Sequence, residues 1–89
     1  MVEKILVEEV AHYYPKIGVA VVNLKERLMK GDKIEIEGKT TKLNQAVTSM
    51  QIEHADIEVG EPGQSIGLKV EDRVREGDKV YKLVEWVIS

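Results

Sequence analysis

The chain has 89 residues, a formal net charge of −3 and no cysteine. That length gives room for one domain, residues 1–89, burying roughly 60–65% of its unfolded surface, so a thin core has to hold without staples. Lack of cysteine excludes disulfides, thiolate nucleophiles and cysteine-ligated zinc together, and it fits a reducing compartment.

In chain order, the opening Met1-Val2-Glu3-Lys4 lacks a basic segment followed by an apolar one, so no signal peptide is expected. The first apolar run, Val2 to Tyr14, stops at Pro15, and the second covers Ile17 to Leu24. Its longest unbroken stretch, Val19 to Val22, is far short of the ~20 residues that cross a membrane. A soluble, cytoplasmic protein is expected. Leu24 to Met29 is the nearest approach to a helix, but Gly31-Asp32 ends it after about one turn, too short to nucleate alone; it reads as a strand end and turn. Lys33 to Glu37 alternates cleanly, with Ile34 and Ile36 on one face and charges on the other. A run from Leu43 to Glu53 follows, then Ser65 to Val70, then Lys79 to Val87.

Val/Ile-rich runs separated by Gly, Pro and Asp at intervals of about ten residues predict an all-β sandwich or barrel. Two segments resemble each other, Leu28 to Ile34 and Val74 to Val80: in each an apolar residue precedes Gly-Asp by three positions, and alternation resumes after it. The turn needs a glycine able to take positive φ and an Asp able to bond its own backbone.

Charge is unevenly spread. Residues 1–49 hold eight Lys/Arg against seven Asp/Glu, and residues 50–89 hold five against nine. Coating nucleic acid by phosphate neutralisation normally needs a basic excess, and the one mild candidate, Lys25 to Lys42, equally reads as a solvated strand face. Charged residues make up 33% of the chain and Asn plus Gln number five, which leans toward a heat-tolerant source.

Catalytic signatures are missing. No phosphate-cradling glycine loop is present, so no nucleotide cofactor is expected. Ser49, Ser65 and Ser89 have no activating context, and His12 and His54 lack metal-ligand spacing, so neither a metal nor any other cofactor is expected. Glu8 and Glu9 are adjacent on a strand and point to opposite faces, unlike a hydrolytic carboxylate pair. A binding protein is expected, with no enzymatic activity. A lipoyl-type carrier would need an exposed lysine hairpin motif that the chain does not have.

The segments Val7-Glu8-Glu9-Val10, Ile17 to Val22, Leu28-x-x-Gly31-Asp32-x-Ile34, Val47-x-Ser49-Met50-Gln51-Ile52-x-His54, Gly63 to Leu68 and Val74-x-x-Gly77-Asp78-x-Val80 together resemble domain 2 of the translation GTPases, the β-barrel after the G domain in elongation factor Tu and initiation factor 2. The likeness is nearest to stand-alone elongation factor-like proteins; similar barrels also end collagenase-like peptidase-family proteins linked to RNA modification. It implies a closed six- or seven-stranded Greek-key barrel without GTP hydrolysis, since the G domain is missing. It further implies an RNA-end pocket from Glu9, Gln51 and His54, with an amide at Gln51 where the family has an acid.

Lys39 and Thr41, on the polar Lys39-Thr40-Thr41-Lys42 segment, are expected as auxiliary phosphate contacts. Tyr13, Tyr14 and Trp86 are the expected partner contacts, or else caps on the barrel ends. Two functions follow: a module contacting RNA (tRNA 3′ end-like) or a ribonucleoprotein, or an accessory subunit binding an RNA-modifying or peptidase-family enzyme.

Overall fold

A computed structural model describes residues 2–85, so the partner contact expected at Trp86 lies outside the described residues. The described chain is all-β, with ten strands: β1 (Val2–Tyr14), β2 (Val19–Asn23), β3 (Leu28–Met29), β4 (Lys33–Glu37), β5 (Lys42–Ala46), β6 (Met50–Ile52), β7 (Ala55–Ile57), β8 (Val59–Gly60), β9 (Ser65–Lys69) and β10 (Lys79–Glu85). No helix in it is long and apolar enough to cross a membrane.

Eight strands pair antiparallel in the order β5-β4-β10-β1-β2-β9-β6-β7, and β3 with β8 forms a small separate ribbon. The long β1 belongs to both halves of the sheet. Its first half pairs with β10 and its second with β2, and each pairing contains a register shift, between Leu6 and Glu8 and between Val10 and His12. These bulges explain the burial pattern of β1. The inward residues Val7, Val10 and Tyr13 are spaced by three rather than two, because each bulge adds one residue and bends the strand around the core.

The core consists of Val, Ile, Leu, Ala and Met side chains with the fully buried Leu28, Ile34, Ile36, Met50, Ile66 and Leu68 as its largest members. Tyr13, Leu43, Ile52 and Ile57 pack against its rim. On β4 and β9 the alternation holds strictly, Ile34 and Ile36 or Ile66 and Leu68 turning inward.

The two similar sequence segments fold identically. Asp32 Oδ2 accepts the Met29 N–H at 2.9 Å, and Asp78 Oδ2 accepts the Arg75 N–H at 2.8 Å. Gly31 and Gly77 take φ of 96° and 88°, as the turn requires. Each turn then clamps a buried valine on a neighbouring segment. Gly31 N–H donates to Val47 O while Val47 N–H donates to Asp32 O, and Gly77 N–H donates to Val10 O while Val10 N–H donates to Asp78 O, all at 2.8–2.9 Å.

The expected closed barrel needs correction, because among the described residues β5 and β7 are each paired on one side only and the sheet stays open. The chain leaves β5 at Ala46 and crosses to β6, and among the described residues no strand pairing closes the seam between β5 and the segment after β9. The Gln45 side chain spans that seam instead: its Nε2 donates to Lys69 O at 3.0 Å, and its Oε1 accepts the Glu71 N–H at 2.7 Å.

Candidate functional site

A depression of about 730 Å³ lies on the outer face of the β2–β9–β6 part of the sheet. Its floor follows from strand register. Val21, Gly67, Gln51 and Asp56 stand side by side across β2, β9, β6 and β7. Inward neighbours Ile66 and Leu68 hold β9 against the core, so Gly67 faces outward with no side chain and leaves a trough. A Cβ at Gly67 would meet Val19 Cγ1 at 3.0 Å, so the valine leans into the space that glycine leaves.

One wall is apolar: Tyr14 is 48% exposed and Ile17 57% exposed, on the turn closed by Gly18 N–H donating to Tyr14 O at 2.9 Å. The Tyr14 ring is held edge-on against the His12 ring, centroids 4.4 Å apart. The opposite wall is the β6–β7 hairpin. Its two-residue loop, Glu53-His54, has φ of 50° and 67°, the left-handed pair characteristic of a type I′ turn. Gln51 Nε2 donates to Asp56 Oδ1 at 3.2 Å across the hairpin.

Of the residues expected from sequence, the fold brings Tyr14, Gln51 and His54 together around this groove. Tyr13 turns inward against the core. Glu9 is an exposed residue of β1 opposite Lys79 and does not line the groove. Lys39 borders a second depression of about 660 Å³ with Thr40, Arg75 and Lys79, where Glu37, Glu76 and Asp78 balance the cations. Thr41 is buried, and its carbonyl accepts the Gly38 N–H at 2.9 Å to close the β4–β5 turn. Ile17, Val19, Val21 and Gly67 also line the groove without being among the residues expected from sequence; the one sequence signal for them is a lone glycine between two core residues of a strand.

Two carboxylates on the sheet surface are acidified. Glu8 lies below the usual carboxylate range because it accepts the Glu9 N–H at 2.9 Å and pairs with Lys25 at 3.1 Å. Glu37 is lowered by its bond to the Lys4 ammonium and by Glu35, and Lys4 is raised chiefly by Glu37. A depressed carboxylate contributes stability above its unfolded pKa and loses it as pH falls through the folded value. The thermal midpoint is therefore expected to fall as pH drops below about 4.5, the ordinary glutamate value. Glu8→Gln is expected to flatten that fall, as scanning calorimetry at stepped pH would register.

Fold and site together define a small all-β domain with an open groove on one sheet face, and with no group of three or more His, Asp or Glu side chains placed to hold a metal among the described residues. No family model matches the chain. It is 44% identical over 85 residues, 94% of its length, to an uncharacterised protease of Methanocaldococcus jannaschii. It is 34% identical over 82 residues, 90% of its length, to a collagenase of Porphyromonas gingivalis. The chain spans only 21% and 20% of those two relatives. Among solved structures, the C-terminal domain of a Geobacillus thermoleovorans protein assigned as a U32 peptidase superposes with a TM-score of 0.79 at 21% identity, covering 89% of this chain and 91% of that one. The selenomethionine form of the same domain gives 0.76.

These relatives overturn the resemblance to a translation-factor barrel, for they are protease and peptidase chains and not elongation factors. The physical reason lies in the motifs that carried it. Both Gly-Asp segments are met by Asx-type turns clamping a core valine, a demand of strand-turn packing that is independent of any ligand.

Proposed function

We propose that the chain is a non-catalytic docking domain of a peptidase-family protein, binding polypeptide through the β2–β9–β6 groove. One observation carries the reading: 94% of this chain aligns at 44% identity with a segment amounting to a fifth of a protease, so the same unit stands in that relative beside a much larger remainder. The groove supplies the rest. Tyr14 and Ile17 are large apolar side chains left exposed on one wall, and aromatic anchors beside an apolar trough are what protein interfaces concentrate.

The test pairs an assay with a titration. The purified chain is incubated with gelatin and fluorogenic peptides, and it is titrated calorimetrically into a peptidase-family polypeptide from the same source. No hydrolysis by the chain alone and a saturable complex are expected. Tyr14→Ala combined with Ile17→Ser, both at exposed positions, is expected to weaken that complex about tenfold or more. Hydrolysis by the isolated chain, or a complex indifferent to the double substitution, overturns the proposal.

A further inference from the structure

We draw no further inference here: the strongest candidate, the surface patch of Val2 and Leu6 on β1 with Tyr81 of β10 opposite Leu6, is an apolar face without a partner among the described residues, and nothing in the structure shows what covers it.

Discussion

Gln45→Ala is expected to destabilise the domain by about 2–4 kcal/mol, a thermal midpoint lower by roughly 10–20 °C. Gln45 is 8% exposed and sits on β5, whose outer side has no strand partner among the described residues. Its amide performs the work of a backbone ladder there, donating to Lys69 O and accepting from the Glu71 N–H. Truncation removes both bonds, together with a third from Nε2 to Ala46 O at 3.1 Å, and leaves the Lys69 carbonyl and the Glu71 N–H near the core without the amide. The penalty for such orphaned groups exceeds the net worth of the bonds themselves.

Two further variants separate hydrogen bonding from packing. Gln45→Met fills similar volume with no donor or acceptor and should recover less than half of the loss. Gln45→Glu keeps the acceptor for Glu71 N–H but turns a carboxylate oxygen toward Lys69 O, so it should be no better than alanine at neutral pH. Urea denaturation with an unchanged slope would confirm a loss of stability rather than a change of folded state. A change below about 0.5 kcal/mol in Gln45→Ala would mean that the seam does not depend on the amide.

How far the sequence could be read depended on how local the determining interactions are. Strand β4 is legible to the residue, since Ile34 and Ile36 bury while Lys33, Glu35 and Glu37 do not. The extent of β1 is equally clear from Pro15, but its bulges are not: they exist because β10 and β2 pull the same strand into two directions. The apolar stretch from Leu43 to Glu53 reads as one strand, yet it breaks between Ala46 and Met50. Val47 is the cause. It is captured by the Gly31–Asp32 turn from another part of the chain, and no pattern within the stretch announces that.

The same reasoning covers the groove. Tyr14, Gln51 and His54 stand out by residue type, whereas the Val19, Val21 and Gly67 floor appears only once β2, β9 and β6 lie together. Open and closed versions of an all-β fold share their strand grammar. The difference here is one amide spanning a seam, which periodicity cannot register.

Gly38→Ala is expected to cost about 2–4 kcal/mol, for a reason unrelated to glycine's conformational freedom. A Cβ at this position would fall well inside van der Waals contact of Asp78 Oδ1. An exposed carboxylate could swing away at little cost. Asp78 is 6% exposed and pinned by the Arg75 N–H, so moving it breaks the turn that clamps Val10. The β4–β5 turn and the Gly77-Asp78 turn are thereby locked together, and with them the strands on either side of β10.

The twin turn provides the control. Asp32→Ala removes the equivalent bond to the Met29 N–H at a more exposed site, where water can replace it, and should cost about 1 kcal/mol. Asp78→Ala should cost more, since Arg75 N–H then loses its partner in a less accessible place. If steric conflict is the mechanism, Gly38→Ala together with Asp78→Ala must destabilise by less than the sum of the single changes, by about 1–2 kcal/mol in a double-mutant cycle. Strict additivity would show that the two turns are independent, and that Gly38 is needed for its backbone alone.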